Sequence, residues 1–324
     1  MSKILVAIAD TVFPDWKPAE QVLADLNVEL RRAETPDQDA ILAVARNAEA
    51  LFVTYAQITA DVIAGLENCK VIGRFGVGTD NIDIEAATNA GIVVTYAPLY
   101  CLDEVSDHAM TTLLSLARKI PYSNSMVHNG RWEMPAVVPI RRLKGRTLGL
   151  VGIGNIAQAV VGKAQAFGIK TIAADPYAPD EVFTKMKTER VELDELYARS
   201  DYISVHAPLT PETENMFSTE AFGKMKSDAL LINTSRGPLV DIDALAKALD
   251  AGEIGGAALD VMPQEPPGAD NPLFGRDDVI LTPHTGFYSE DALLDLQTTV
   301  ATDVAAVLSG ERPKFPVNPK VLDA

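Results

Sequence analysis

The chain has 324 residues, 47% of them hydrophobic, and a formal net charge of −17. That length allows two domains with separate cores, and no apolar run approaches the ~18–20 residues of a membrane span. The acidic balance excludes nucleic acid and anionic membranes as partners, since both select basic patches; Cys69 and Cys101 lack metal-type spacing and predict reduced thiols, no metal site and a cytoplasmic setting.

Residues Ile4–Ile8 read as a first buried strand, because the apolar run meets Asp10 too soon for a signal peptide. Further short apolar runs at Val28–Leu30, Ala50–Val53, Val71–Ile72 and Ile92–Val94 predict strands. Helical patterns lie between them, near Pro18–Leu26, Gln38–Asn47, Thr59–Gly65 and Asp83–Asn89. This alternation predicts parallel strands joined by crossover helices. A long helix is predicted over Leu102–Val127, capped by Asp103 and kinked at Pro121. The polar stretch Asn129–Gly145, with Trp132 and three arginines, reads as a surface excursion.

The apolar run Leu148–Val151 then breaks into Gly152-Ile153-Gly154 and resumes as a helical pattern from Asn155 to Phe167. A second strand, Lys170–Ala174, ends on Asp175. Strand, glycine turn, helix, strand and terminal acid together form the dinucleotide-binding pattern. Gly152 permits the tight turn, and Gly154 lets backbone approach a pyrophosphate. The helix start at Asn155 and Ile156 offers N–H groups and the positive end of its dipole. Ala157 replaces the third glycine. Asp175 would accept from the adenosine ribose diol and repel a 2′-phosphate, and no Arg or Lys follows it before Lys185. The cofactor expected is therefore NAD rather than NADP.

Strands are next expected at Tyr202–Val205, Ala229–Ile232, Gly256–Leu259 and Val279–Leu281. A helix over Asp241–Ala251 carries Asp at its start and Gly252 after its end. The last helical pattern, about Ser289–Leu308, is followed by Pro313, Pro316 and Pro319 in an extended tail. With no strand after it, that helix is inferred to return to the first domain. The expected division is residues 1–101 with 285–324 as a substrate domain, interrupted by a nucleotide-binding domain over 102–284.

Three polar segments follow predicted strands of the second domain: Asn233–Gly237, Asp260–Pro266 and Thr282–Gly286. Ligands of open α/β sheets sit at such carboxyl ends. Arg236, Glu265 and His284 are thereby delivered to one rim. Singly, each reads as a loop charge or a capping residue; the set is what points to chemistry.

With the glycine fingerprint, His206-Ala207-Pro208-Leu209-Thr210, Asn233–Gly237, Asp260–Pro266 and Pro283-His284 in this order, the whole chain resembles the D-isomer-specific 2-hydroxyacid dehydrogenase family. Tyr100-Cys101, Asp175-Pro176-Tyr177 and His284–Glu290 look most like the branch of C-terminal-binding proteins, which are corepressors, and their bacterial relatives. The resemblance implies an α/β fold of two doubly wound parallel sheets, a Rossmann NAD domain inserted into a flavodoxin-like substrate domain. It implies catalytic Arg236, Glu265 and His284. His284 would exchange a proton with the substrate oxygen, Glu265 would pair with it, and Arg236 would grip and polarise a 2-keto acid. It also places Ala207, Pro208 and Thr213 on the adenine side, His206 along the cofactor, and Thr234 and Asp260 at the nicotinamide. Val77 and Gly78 would bind the substrate carboxylate through backbone N–H groups. Tyr55 would face the substrate side chain, which suits a keto acid with a carbon side chain better than glyoxylate. The family further implies a homodimer built through Leu102–Val127 and the excursion. The competing reading is an NAD(H)-responsive protein-binding module of the corepressor type. A formate dehydrogenase is disfavoured, because that chemistry uses a Gln where Glu265 stands.

Overall fold

Apolar runs of four or five residues become strands buried on both faces, which is what a parallel sheet covered by helices requires. The computed structural model describes residues 3–13 and 15–323. The chain divides into one unit of Met1–Tyr100 with Ser289–Ala324 and a second of Cys101–Tyr288. Residues 285–288 thus belong with the second unit rather than the first, because the Asp260 carboxylate holds the amides of Thr285 and Gly286.

In the first unit the strands are β1 (Ile4–Ile8), β2 (Val28–Arg32), β3 (Ala50–Val53), β4 (Val71–Arg74) and β5 (Val93–Thr95). They lie parallel in the order β2-β1-β3-β4-β5, the doubly wound order of flavodoxin-like sheets. Val6 aligns with Leu30 on one side and Ala50 on the other. Ile41, Leu51, Ile58, Ile72 and Val94 fill one face of this core. The helix Glu290–Leu308 returns to this unit, with Ser289 as its cap through the Ala292 amide. The proline-rich tail does more than extend. Val317 donates to Val94 O at 2.7 Å, and the Asn318 side chain takes the Val94 amide and bonds Ile92 O. It thereby satisfies the edge of β5, which exposed N–H groups would otherwise leave open to pairing.

In the second unit the strands are β6 (Thr147–Val151), β7 (Lys170–Ala174), β8 (Glu189–Arg190), β9 (Tyr202–Val205), β10 (Leu230–Asn233), β11 (Gly256–Leu259) and β12 (Val279–Leu281). Their order is β12-β11-β10-β9-β6-β7-β8, all parallel, the Rossmann arrangement with one added strand. Alternate residues feed opposite cores. Ile203, Val205, Leu231 and Leu259 enter one, and Leu148, Leu150, Ile232 and Ala258 the other. Between β6 and β9 the strand order reverses, and ligand crevices of such sheets open there.

The predicted long helix is two. Leu102–Ala117 and Ile120–His128 are separated at Lys119, whose φ is 50°. Pro121 falls in the first turn of the second helix, where its missing N–H costs nothing, so the break precedes it. Cys101, not Asp103, occupies the N-cap position; Asp103 lies in the first turn and faces the positive end of the dipole. Strand β10 starts and ends one residue later than expected, at Leu230 and Asn233. Asp241 does cap Ile242–Ala251 through the Ala244 amide, and Gly252 closes it at φ 68°. No described helix is long and apolar enough to cross a membrane.

Asp201 ties the amino-terminal edge of this sheet together. Its carboxylate accepts from Arg146 Nη1 at 2.9 Å, Lys226 Nζ at 3.0 Å and the Thr147 amide at 2.8 Å. Burial alone pushes this carboxyl up, but the three donors outweigh burial and hold it below the ordinary carboxylate range. Asp201→Asn should cost about 1–3 kcal/mol, below the figure for a wholly buried pair because both cations reach solvent. A carboxyl depressed on folding stabilises above its unfolded pKa of about 4 and loses that contribution as pH falls through the lower native value. Thermal melts of both proteins should therefore differ at pH 7 and converge in acid. Equal melting at pH 7 would contradict this.

Candidate active site

The glycine loop after β6 is shaped by contacts no side chain would permit. Gly152 has φ 89°, and a Cβ there would come within 2.9 Å of His206 O. Gly154 is the N-cap of the helix Asn155–Ala166, with no side chain capping it, and a Cβ at Gly154 would meet nothing within 4 Å. Open space thus lies against a helix start formed by Asn155 and Ile156, which is the setting a pyrophosphate needs. Asp175 stands at the end of β7. Its Oδ2 accepts from the Ile153 amide at 3.0 Å, and its Oδ1 from the amides of Tyr177 and Ala178. Each oxygen can accept further, so the carboxylate steadies the glycine loop while retaining capacity for a ribose hydroxyl.

After β9, His206 Nε2 lies 2.8 Å from Ser204 Oγ, and desolvation pushes its pKa down to about 4, so it is neutral at pH 7. Ala207 is buried and its carbonyl accepts from Ser235 Oγ at 2.7 Å. Thr213 spends its hydroxyl on its own loop, donating to Pro208 O at 2.7 Å and accepting from the Thr210 amide. Thr234, after β10, carries a buried hydroxyl with no hydrogen-bond partner among the described residues. An orphaned hydroxyl at a strand's carboxyl end is what a bound polar group would satisfy. These residues fit a dinucleotide.

Asn233 shapes the segment that carries Arg236. Its amide donates to Arg236 O at 2.8 Å and its Oδ1 accepts from the Ser235 amide. The next residue must be glycine, because a Cβ at Gly237 would overlap the Met262 carbonyl. That close approach seats the Arg236 segment against the loop holding Glu265. Arg236 Nη1 also bonds Ser235 O at 2.9 Å.

Glu265 and His284 come from the loops after β11 and β12. His284 Nδ1 and Glu265 Oε2 are 2.7 Å apart, and Glu265 Oε1 accepts from the Met262 amide at 2.9 Å. Partial burial pushes the Glu265 carboxyl up. The hydrogen bonds from His284 and Met262, with the charges of His284 and Arg236, outweigh it and leave the carboxyl below its ordinary range. His284 sits at φ 52°, a left-handed conformation rare outside glycine. Such strain persists only where neighbours over-determine it. The neighbour here is Asp260, 4% exposed, whose backbone carbonyl takes the His284 amide at 2.8 Å and whose carboxylate takes Thr282 Oγ1, Thr285 N and Gly286 N.

Sequence reasoning gave no role to two residues that touch this arrangement. His108, on Leu102–Ala117, places Nε2 2.9 Å from Thr282 Oγ1. Arg190, on the two-residue strand β8, donates to Asp175 O at 2.9 Å while pairing with Asp180 at 2.6 Å. Neither stands in a motif; packing of the helix Leu102–Ala117 brings in His108, and pairing of β8 with β7 brings in Arg190.

In the first unit, Tyr55 follows β3 and its amide donates to Asp10 Oδ2 at 2.7 Å. Val77 and Gly78 follow β4 in an irregular, half-buried turn. Among the described residues no group of His, Cys, Asp and Glu is placed to hold a metal ion.

Comparison with known proteins bears on this site. The family described as D-isomer specific 2-hydroxyacid dehydrogenase, NAD binding domain, matches residues 110–286. A D-3-phosphoglycerate dehydrogenase of Methanocaldococcus jannaschii is 41% identical over 98% of this chain and 60% of its own length. One from Mycobacterium tuberculosis is 38% identical over 96% of this chain and 58% of its own length. The chain therefore spans less than two thirds of these relatives. A D-lactate dehydrogenase of Aquifex aeolicus, solved with NAD and lactic acid, superposes with a TM-score of 0.89 at 27% identity, over 97% of this chain and 99% of that one. The chain belongs to the D-isomer specific 2-hydroxyacid dehydrogenase family.

Proposed function

We propose that the protein is an NAD-dependent oxidoreductase that reversibly reduces a 2-keto acid to a D-2-hydroxy acid. The observation that carries this is the 2.7 Å pairing of His284 with Glu265 beside Arg236, at the carboxyl edge of a sheet whose glycine loop fits a dinucleotide. When bound, the dinucleotide supplies or accepts the hydride at the substrate's C2. The remaining work falls to the chain. Nδ1 of His284 is committed to Glu265, so Nε2 delivers the proton to the carbonyl oxygen in reduction and takes it from the hydroxyl in oxidation. Glu265 orients the ring through the bond to Nδ1. Arg236 receives the substrate carboxylate on its planar fork and polarises the carbonyl.

The cofactor side is assigned to Gly152, Gly154, Asn155, Ile156, Asp175, His206, Ala207, Pro208, Thr213, Thr234 and Asp260. Asp175 supports NAD over NADP, because its carboxylate would accept from a ribose hydroxyl and repel a 2′-phosphate. Residues 1–100 with 289–324 are assigned the substrate domain, with Tyr55, Val77 and Gly78 as substrate residues. The test is initial-rate turnover of NADH and NADPH with pyruvate, larger 2-keto acids, glyoxylate and 3-phosphohydroxypyruvate. The proposal expects NADH to be consumed with a keto acid bearing a carbon side chain, and NADPH poorly. Binding of NADH without turnover of any acid would overturn it in favour of a binding module.

We also propose a homodimer through the two helices over 102–128 and the segment after them. Trp132 is 87% exposed, and Ile120, Met134 and Val138 are exposed beside it in sequence, an apolar set that a partner copy would cover. Light scattering should give twice the chain mass, and a single-chain mass would refute it.

A further inference from the structure

We propose that His108 is a positioning residue for proton transfer at His284, acting through Thr282 and Asp260. The inference rests on the dehydrogenase reading and extends it. Thr282 Oγ1 lies 2.6 Å from Asp260 Oδ1, which can only accept, so the hydroxyl proton is given to the carboxylate. A hydroxyl has one proton. Toward His108 Nε2, 2.9 Å away, Thr282 Oγ1 is therefore an acceptor, and Nε2 carries the hydrogen. The same Nε2 is 3.5 Å from Asp260 Oδ1. One donor thus holds the Thr282 hydroxyl and lies against the edge of the Asp260 carboxylate.

That carboxylate is the common acceptor for the Thr285 and Gly286 amides, and its own backbone carbonyl takes the His284 amide. The His284 amide also lies 3.0 Å from Thr282 O. The packing leaves little slack, since a Cβ on Gly286 would fall 2.8 Å from Asp260 Oδ2 and 3.5 Å from His108 Cδ2. Strain at the φ of 52° makes the His284 conformation dependent on these bonds. Loss of the His108 donor leaves the Thr282 hydroxyl with only its bond to Asp260 and removes a polar neighbour from the Asp260 carboxylate. The acceptor of the Thr285 and Gly286 amides is then less firmly placed, and the imidazole shifts from its productive orientation without leaving the site.

The experiment uses chain length along one side chain. Glutamine places an amide nitrogen near the reach of Nε2, whereas asparagine stops near that of Nδ1. His108→Gln should keep kcat within about twofold of wild type, and His108→Asn should lower it about 10- to 100-fold, the scale of a misplaced catalytic group. The KM for the keto acid should stay within about threefold, because Arg236 lies on another segment. Melting temperature, measured alongside, should separate the two variants little. Wild-type kcat in His108→Asn, or equal impairment of both variants, would overturn the positioning role alone. Absence of turnover in the wild type would overturn the dehydrogenase reading with it.

Discussion

His284→Asn should lower kcat by about 10³- to 10⁴-fold while NADH affinity changes only a few-fold. Asparagine is the informative replacement, because it tolerates the left-handed backbone at φ 52° better than most residues and so leaves the loop in place. What it removes is the group proposed to exchange a proton with the substrate oxygen. The elements proposed to hold the cofactor, the glycine loop after β6 and Asp175 after β7, are held by contacts of their own and do not depend on the imidazole. Steady-state rates give the first quantity and NADH fluorescence titration the second. A kcat within tenfold of wild type would remove His284 from the chemistry. The pH dependence follows from Glu265. Its carboxyl is depressed, so it stays ionised across neutral and mildly acidic solution. The Glu265-dependent part of the rate is complete above the ordinary carboxylate range and is lost only as pH falls through the depressed value.

Arg236→Lys should lower kcat/KM about 10²- to 10³-fold, with NADH binding intact. A guanidinium presents two parallel N–H groups to a carboxylate, and lysine offers one compact charge with no fork. Charge-assisted bonds contribute about 1.5–3 kcal/mol each, and every 1.4 kcal/mol is tenfold. The backbone here is rigid: Asn233 holds Arg236 O, and Gly237 abuts Met262. A lysine at 236 cannot recover the geometry by moving the chain. Initial rates over a range of keto-acid concentrations would show the loss. An unchanged kcat/KM would mean that the substrate carboxylate is bound elsewhere.

The fold was largely legible in the sequence, for a physical reason. Strands buried on both faces must be continuous apolar runs, so β1, β3, β9 and β11 stand out from their flanking turns. Asp241 and Gly252 marked a helix because their local chemistry suffices at its two ends. Elements whose partners lie far away in sequence were less visible. Strand β8 is only Glu189–Arg190, polar and exposed, and pairing with β7 alone makes it a strand. The break at Lys119 has no glycine to announce it. The tail that closes β5 reads as loop, because prolines hide its pairing.

The candidate site divides in the same way. The glycine loop and Asp175 form a local pattern and could be read from spacing. Arg236, Glu265 and His284 are separate segments, and residues alone gave only a shared rim; their roles came from resemblance to a family. The resemblance places Asp260 at the nicotinamide, whereas its side chain also organises the His284 loop through bonds no local pattern announces. His108 sits among ordinary helix residues, and nothing in its surroundings along the chain distinguishes it from a solvated histidine.

The proposed reaction moves a hydride to C2 of a keto acid with D stereochemistry. NADH carrying deuterium at the transferable position of its nicotinamide tests it directly, with the product examined by NMR and chiral chromatography. The account predicts one deuterium at C2 of a D-2-hydroxy acid, formed by the wild type and almost absent with His284→Asn. Label retained on the nucleotide, or a product of L configuration, would contradict it.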